Sequence, residues 1–415
     1  MKNIRSQKPL VSVIIPTFNR RHIIARSVES VLAQTFTDYE IVVVDDGSTD
    51  NTGEFLKKHY GERIQYIAQP VNMGLANARN RGIEASRGTY IAILDDDDLW
   101  FPEKLALQVE LLEKEPELSL VYCGTVKVNS RGEWIEEIRP SRRGQIFEAM
   151  LYQNCLLGPA SVAIFPRAVL RTSGMFDAGL SSCADWDLWV RMARCGKVDF
   201  VDRPLVQYVI HESNMHGDIS GMAKDTFVIL DKYLPLLEQG GESADPRKSI
   251  YSNHLIHFAW QYYEQNDIPQ FRKMLFQALE RDPSNRFPIR GTALRKRETL
   301  ALETLREYWS ISGRGKGQAR GTVFSDHYRQ LAWEYYRQDD MENFRRCVIL
   351  ACRYSFPQMP LRLAVPFFKS FLGKGIADSV HRARKRLQHA GRKAVKQPAD
   401  SKSETYPDIT QDIRT

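Results

Sequence analysis

The sequence has few cysteines and no long apolar run. No stretch reaches the roughly 18 consecutive apolar residues that a membrane-spanning helix needs, so we expect no such helix. The amino terminus carries one brief apolar run, Leu10 to Pro16, without a small-residue cleavage site after it, and we expect no signal peptide. The six cysteines form no C-x-x-C pair and are too sparse for a disulfide framework. We therefore expect a cytoplasmic protein, either soluble or peripheral at the cytoplasmic face of the membrane.

Charge is unevenly distributed along the chain. The formal net charge is +7, and residues 374–396 hold eight Lys or Arg against one acid, Asp378. Aromatic residues at positions 367, 368 and 371 precede this segment. Basic residues beside aromatic ones can bind an anionic membrane surface, which predicts such a surface as a partner of residues 366–396. A solvated helix with a frayed end fits the same segment, and we expect no nucleic-acid partner.

Short β-rich runs alternate with helical stretches in the first hundred residues. The predicted strands are Val11–Ile15, Ile41–Val44, Ile64–Ile67 and Tyr90–Leu94, and the predicted helices are Arg21–Gln34, Thr52–Tyr60 and Ala76–Ala85. The strands are almost continuously apolar, as is typical of a sheet that helices cover on both faces. The pattern therefore predicts an α/β fold with a mostly parallel sheet.

The rest of the chain changes character near residue 220, after which it is almost entirely helical. Before that point we predict a helix at Lys104–Lys114, strands at Leu118–Cys123 and Ser161–Phe165, and a helix at Asp185–Arg194. The composition predicts three domains, which are an α/β domain over residues 1–220, an all-helical domain over 221–365, and a basic, partly disordered tail over 366–415.

The helical region contains an internal repeat. Residues 259–272 and 332–345 share aromatic and polar positions at an offset of 73 residues. Each copy is predicted to form a helix, a polar turn and a second helix. Such helical pairs resemble tetratricopeptide-like units, which bind protein partners, although a plain helical support domain is the alternative.

Polar residues gather just after three predicted strands. The clusters are residues 16–19, 45–48 and 95–98. In open α/β sheets the ligand crevice lies at the carboxyl ends of the strands, so the three clusters predict one site.

Four consecutive aspartates, Asp95 to Asp98, form the most informative of these clusters. Adjacent carboxylates at the end of an apolar strand repel one another, and their burial is costly unless something neutralises them. Mg²⁺ typically binds one or two protein carboxylates together with phosphate oxygens. The run therefore predicts a Mg²⁺ or Mn²⁺ ion beside a nucleoside diphosphate, although a polar loop that caps the next helix is an alternative.

Two further acidic pairs support a site. Asp46 follows a strand in Asp-Asp-Gly-Ser, where a carboxylate can accept hydrogen bonds from a base or ribose, although this is also ordinary turn chemistry. Asp185 and Asp187 lie two positions apart on a predicted helix and should point in different directions. A carboxylate beside the bulky Trp186 should have a raised pKa that suits a general base. For Trp186 and Trp189 themselves, packing in the core is the favoured interpretation.

Together these segments resemble family 2 glycosyltransferases of the GT-A fold, a Rossmann-like α/β architecture. The resemblance covers roughly Pro9 to Asn214 and depends on the order of four motifs, which are residues 11–20, residues 44–50, residues 72–80 leading into Asp95–Asp98, and residues 185–189.

The resemblance implies a role for each matching residue. The nucleotide would be bound by Pro16, Thr17, Phe18, Arg20, Asp46, Gly74, Asp95 and Asp96. The Mg²⁺ or Mn²⁺ ion would be bound by Asp97, Asp95 and His211. Asp185 would be the general base that deprotonates the acceptor hydroxyl. Relatives usually carry Glu-Asp at this position, whereas this chain has Ala184-Asp185.

The function implied by the resemblance is inverting transfer from a nucleoside diphosphate sugar, with UDP favoured, to a hydroxyl of a glycan or lipid-linked acceptor in surface polysaccharide synthesis. A sugar nucleotidyltransferase is a weaker alternative, because no glycine-rich phosphate loop follows the first strand. A decayed transferase that serves as a helical-repeat scaffold is the other alternative.

Overall fold

A computed structural model of the 415-residue chain describes residues 8–211, 218–237 and 245–282, all within one compact unit. The prediction of an α/β fold is confirmed. Within the described ranges, no helix combines the length and the apolar character needed to cross a membrane.

The first half of the unit alternates strands and helices. Its elements are β1 (Val11–Thr17), α1 (Ile24–Leu32), β2 (Tyr39–Asp45), α2 (Thr52–Tyr60), β3 (Gln65–Ala68), α3 (Leu75–Ala85) and β4 (Tyr90–Ile93). These four strands pair in parallel in the order β3-β2-β1-β4. Every residue of β1 is buried, which explains its continuous apolar character.

The second half is mixed. Its elements are β5 (Leu99–Trp100), α4 (Lys104–Lys114), β6 (Leu118–Asn129), β7 (Trp134–Ile138), α5 (Phe147–Tyr152), β8 (Ile164–Pro166), α6 (Leu170–Ser173), α7 (Ala184–Cys195) and β9 (Lys197–Ile210). The sheet continues from β4 as β8-β6-β9-β5, with β7 paired to β6. The sheet is therefore mixed and not mostly parallel as expected. β1 to β4 pair in parallel, and so do β6 and β9, whereas β8 runs antiparallel to β4 and β6, β5 runs antiparallel to β9, and β7 runs antiparallel to β6.

Three helices follow the sheet, namely α8 (Ile219–Tyr233), α9 (Pro246–Glu264) and α10 (Ile268–Arg281). α9 and α10 form a hairpin whose turn contains Asn266 in the left-handed region, at φ 61°. This hairpin is the first copy of the predicted repeat. The second copy and the basic tail over 366–415 lie outside the described residues, so the repeat and the domain boundaries stay predictions.

The strand order creates a crevice between β1 and β4. From β1 the chain first moves outward to β2 and β3, and then returns to pair β4 with the other edge of β1. The loops that leave β1 and β4 diverge at this point. Ligands of open α/β sheets bind where the strand order reverses in this way, at the carboxyl ends of the strands.

Candidate active site

A cavity of about 370 Å³ opens at the carboxyl ends of β1, β2 and β4. Its walls are the loops that follow these strands, the start of α3, and the segments around residues 158–160 and 180–185. All the predicted site residues except His211 line this cavity, and His211 contacts one of them, Asp97. The structure therefore brings together residues that are far apart in the sequence.

The loops after β1 and β2 are tied to each other. Asn19 adopts a left-handed conformation at φ 54°, which the short polar side chain of asparagine tolerates. Its backbone N–H donates to Ser48 Oγ at 2.8 Å, and its Oδ1 accepts from the Thr49 N–H at 2.8 Å. The adjacent Phe18 side chain remains 41% exposed at the cavity wall. An exposed aromatic ring held by a braced loop can stack on a planar ligand.

Asp46 braces the loop that leads into α3. Its Oδ1 accepts hydrogen bonds from Gln69 Nε2 at 2.5 Å and from the Met73 N–H at 2.8 Å, and its Oδ2 accepts one from the Gly74 N–H at 2.8 Å. Gly74 has φ 92°, a conformation that other residues adopt only with strain. Asp46 thus lines the cavity while its carboxylate holds this loop in place, and a contact with ribose or base stays a prediction.

The four aspartates after β4 alternate in exposure. The side chains of Asp95 and Asp97 are 21% and 15% exposed, whereas Asp96 and Asp98 are 9% and 0% exposed. The four residues form a turn in which the Asp98 N–H donates to the Asp95 carbonyl at 3.1 Å, and this turn directs Asp95 and Asp97 to one side and Asp96 and Asp98 to the interior. Only alternate members of the run therefore have appreciable solvent access.

Asp95 and Asp97 both have cationic neighbours. Arg79, on α3, donates from Nη2 to Asp95 Oδ1 at 2.6 Å. Asp97 Oδ2 lies 3.0 Å from His211 Nε2 and 3.8 Å from Arg20 Nη2. The expected repulsion within the run is thus partly offset by positive side chains of the protein itself.

The buried carboxyl groups of Asp96 and Asp98 accept hydrogen bonds from side chains of the protein interior. Thr17 Oγ1 donates to Asp96 Oδ2 at 2.6 Å, and Ser161 Oγ donates to Asp98 Oδ2. Burial raises the pKa of Asp96 to about 7, an effect that the charge of Asp97 adds to and the Thr17 hydrogen bond opposes. Burial also raises the pKa of Asp98 well above its ordinary value.

The donor set at Asp97 has the chemistry of a small divalent-cation site. Across the ranges that the structure describes, no group of three or more His, Cys, Asp or Glu side chains is arranged to enclose a metal ion. Mg²⁺ does not require such a cage when a diphosphate supplies further oxygens. Asp97 at the cavity wall and the imidazole of His211, 3.0 Å from its carboxylate, therefore fit the predicted ion as candidate ligands, with Asp95 nearby.

Asp185 lies in the first turn of α7 and lines the same cavity as the acidic run. Burial raises its pKa, the positive charge of Arg79 opposes this effect, and the Trp186 N–H donates to its Oδ1 at 2.7 Å. Because the carboxylate lines the cavity and its pKa is raised, it can accept a proton from a bound hydroxyl.

Asp187 points elsewhere, as predicted. It is fully buried and accepts hydrogen bonds from Tyr233 Oη at 2.8 Å and from Arg191. Trp186 and Trp189 are buried in the core, which confirms the favoured interpretation for both. The two aspartates of this motif therefore have different roles, and Asp185 is the one at the cavity.

Several residues at the site were not predicted individually. Arg79 lies within the motif that precedes the acidic run, and it is 4% exposed, lines the cavity and contacts Asp95. Ser161 Oγ bonds both Asp98 and the Asp95 N–H. The sequence marks Arg79 only as part of the motif over residues 72–80, and nothing in the sequence marks Ser161.

Comparison with known proteins identifies the first part of this unit. Residues 12–174 match the family model described as Glycosyl transferase family 2, which is the family that the motifs resemble. The matched segment includes Asp46 and the acidic run, and ends before Asp185 and His211.

The relatives are similar over part of their length. An uncharacterized glycosyltransferase of Rickettsia typhi is 32% identical over 215 residues, which are 49% of this chain and 65% of the relative. The chondroitin synthase of Escherichia coli is 32% identical over 211 residues, which are 50% of this chain and 30% of the relative. The chain thus covers less than two thirds of either relative.

Among solved structures, a mannosyltransferase from Pyrobaculum calidifontis in complex with GDP-Man and Mn²⁺ is 17% identical, with a TM-score of 0.48 over 89% of each chain. A likeness at this level assigns no ligand to the present chain.

Proposed function

We propose that this chain, whose residues 12–174 belong to glycosyl transferase family 2, transfers a sugar from a nucleoside diphosphate sugar to an acceptor hydroxyl with inversion at the anomeric carbon. The observation that carries the proposal is a single cavity lined by Asp95, Asp97 and Asp185. Transfer requires a place for the leaving diphosphate next to a base for the incoming hydroxyl. The acidic run and the first turn of α7 supply these two functions.

The donor occupies the side of the cavity formed by the loops after β1, β2 and β4. The Phe18 ring stacks on the nucleobase, and the Asp46 loop forms the adjoining wall. Arg20, which lies 3.8 Å from Asp97, provides a positive charge for the diphosphate. This side of the cavity therefore binds a planar base at one end and an anion at the other.

A bound Mg²⁺ or Mn²⁺ at Asp97 and His211, with Asp95 nearby, would neutralise the diphosphate and make it a better leaving group. The protein holds these residues before the donor arrives. Arg79 fixes Asp95, and Ser161 fixes both the Asp95 backbone and the Asp98 side chain. Little reorganisation is then needed when the donor binds.

Asp185, which lines the same cavity, acts as the base. Its carboxylate takes the proton of the acceptor hydroxyl as the oxygen attacks the anomeric carbon from the face opposite the diphosphate. Attack from that face inverts the anomeric configuration. Burial keeps the pKa of Asp185 above its ordinary value, which makes it a stronger proton acceptor than an exposed aspartate.

The acceptor is a hydroxyl of a glycan or a lipid-linked glycan, and the donor is a UDP-sugar used in polysaccharide synthesis. The printed name of one relative, a chondroitin synthase, supports the polymer class without fixing the sugar. Residues 366–396 would bring the enzyme to an anionic membrane surface, and the helical repeat would bind a protein partner. Both of these segments lie at least partly outside the described residues.

A thermal-shift screen tests the proposed function. The protein is melted with UDP, GDP, dTDP or CMP, each with and without Mn²⁺, because a ligand that binds only the native state raises the melting temperature. We expect one nucleoside diphosphate to raise it, and the rise to require Mn²⁺.

Asp97→Ala should abolish the rise, since it removes the central carboxylate of the site. Asp202→Ala is the matched control, because the Asp202 side chain is 63% exposed and does not line the cavity. No rise with any nucleotide, or a rise that survives in Asp97→Ala, would count against the proposed function.

A further inference from the structure

The segment that carries Asp185 is anchored by a helix beyond the matched family segment. Asp225, on α8, is 3% exposed. Its Oδ2 accepts hydrogen bonds from Ser181 Oγ at 3.3 Å, from the Ser182 N–H at 2.7 Å and from the Cys183 N–H at 3.3 Å. Three consecutive residues are thus held by one carboxylate oxygen.

This arrangement satisfies groups that would otherwise be costly to bury. The first backbone N–H groups of a helix have no partner within the helix, and Cys183 is the residue that precedes α7. The positive end of the helix dipole favours an anion at this position. A buried carboxylate in turn needs hydrogen-bond donors. Asp225 therefore caps α7 from another element.

Residues at the C-terminal end of α8 contact the same turn of α7 through Asp187. Tyr233 Oη donates to Asp187 Oδ1 at 2.8 Å, and Lys232 Nζ lies 3.5 Å from that oxygen. Asp187 is two residues beyond Asp185. The turn that carries Asp185 is consequently held by α8 on both sides along the chain, at residues 181–183 and at Asp187.

We propose that Asp225 is a positioning residue for Asp185, which acts by fixing residues 181–183 against α8. The inference rests on the proposed role of Asp185 as the base. Ser181 and Ser182 line the cavity together with Asp185, so a shift of this segment changes both the acceptor wall and the place of the carboxylate. Asp46 and Phe18 lie at the donor side of the cavity and are not held by Asp225.

Asp225→Ala tests this role with two readouts. In hydrogen exchange measured by mass spectrometry, peptides that cover residues 178–186 should exchange faster than in the wild type, and peptides from β1 should not. Release of nucleoside diphosphate from a panel of UDP-, GDP- and dTDP-sugars with Mn²⁺ should fall about 10- to 100-fold, because a misplacement of about 1 Å at a reacting group has this effect. Binding of UDP with Mn²⁺ should change little.

Asp267→Ala is the matched control. Asp267 caps α10 by accepting from the Gln270 N–H at 3.1 Å, and it does not line the cavity. It should lower the melting temperature, as Asp225→Ala does, without changing exchange in residues 178–186 or the release of nucleoside diphosphate per folded enzyme. Loss of stability alone is thereby separated from loss of positioning.

Asp225→Asn covers the case in which Asp225→Ala does not fold. Its amide oxygen can accept the same bonds, but hydrogen bonds to a neutral acceptor are weaker than those to a carboxylate. Exchange in residues 178–186 should then be faster, and release lower, than in the wild type. Two outcomes for an Asp225 variant overturn the inference. One is exchange at the wild-type rate in residues 178–186, and the other is faster exchange there with release of nucleoside diphosphate at the wild-type rate. A wild-type protein that releases no nucleoside diphosphate from any donor contradicts the proposed function instead, and the exchange result still decides the anchoring.

Discussion

At the scale of single residues, four chemically identical side chains have four different environments. Asp95 contacts Arg79, Asp96 contacts Thr17, and Asp97 contacts His211. Asp98 is fully buried, and among the described residues its Oδ1 has no hydrogen-bond partner. The sequence predicts that such a run must be neutralised, but it does not tell which member faces the cavity.

Ser161→Ala tests how much the hydrogen bond between Ser161 and Asp98 contributes to the stability of the protein. The change removes the hydroxyl that donates to Asp98 Oδ2 and accepts from the Asp95 N–H. A buried polar group that loses its hydrogen-bond partner is expensive, so the free energy of unfolding should fall by about 1–3 kcal/mol. Urea titration at pH 7 measures this quantity.

Ser119→Ala is the comparison for that titration. Ser119 is also buried, but its Oγ donates to a neutral acceptor, the Lys197 carbonyl, at 3.0 Å. The expected loss is about 0.5–1.5 kcal/mol. Equal losses in the two variants would show that the Asp98 carboxylate does not depend on Ser161.

At the scale of elements, α7 packs against α5 and α9 through Trp186. Trp186 Nε1 donates to the Met150 carbonyl of α5 at 2.9 Å, and its ring centroid lies 5.3 Å from that of His254 on α9. His254 Nε2 bonds the Leu151 carbonyl at 2.8 Å, which requires a protonated Nε2 as the donor. One histidine thus joins three helices.

His254 should make this packing dependent on pH. Burial lowers its pKa to about 4, from about 6.5 in the unfolded chain. Because the unfolded chain binds the proton more readily, the stabilising effect is complete above pH 6.5 and is lost as the pH falls towards 4. The wild type should lose about 1–2 kcal/mol more between pH 7 and pH 5 than His254→Gln.

Urea titrations at both pH values measure this difference. His59→Gln, which changes an exposed histidine of α2, should keep the pH dependence of the wild type. The same pH dependence in the wild type and in His254→Gln would contradict the proposed contribution of the buried imidazole.

Local patterns predicted the elements of the first half well. The helices Thr52–Tyr60 and Lys104–Lys114 have the predicted bounds, and the strand predicted at Ile41–Val44 is longer by three residues. The strand predicted at Ser161–Phe165 is wrong in part, because residues 160–162 form a 3₁₀ turn and β8 is Ile164–Pro166. β9 was not predicted. Its 14 residues include Pro204 and several charges, and its extended form depends on pairing with β6, whose residues lie about 80 positions earlier.

Local patterns predicted the site to a similar extent. The carboxyl ends of strands pointed to the clusters 16–19, 45–48 and 95–98, and members of all three, among them Phe18, Asp46 and Asp97, line one cavity with Asp185. Ser161 and Asp225 could not be predicted, because each acts through a partner more than 40 positions away and neither belongs to a recognisable motif. Their roles follow from tertiary packing alone.

At the scale of the whole molecule, the functional unit is larger than the segment that defines the family. The match ends at residue 174, whereas the cavity uses Asp185, the acidic run contacts His211, and Asp225 holds the segment before α7. A protein cut at residue 174 would therefore lose Asp185, the proposed base, together with α7, β9 and α8. The helices after the sheet belong to the same compact unit as the cavity.

The most direct measurement of the central claim is the release of nucleoside diphosphate by the wild type and Asp185→Asn, with UDP-, GDP- and dTDP-sugars and Mn²⁺. Asparagine has nearly the same shape but cannot accept the proton. We expect release to fall by about 100-fold or more, which is the usual contribution of a general base, while thermal shifts with UDP and Mn²⁺ stay at the wild-type value. Release near the wild-type rate by a folded Asp185→Asn protein would contradict the account.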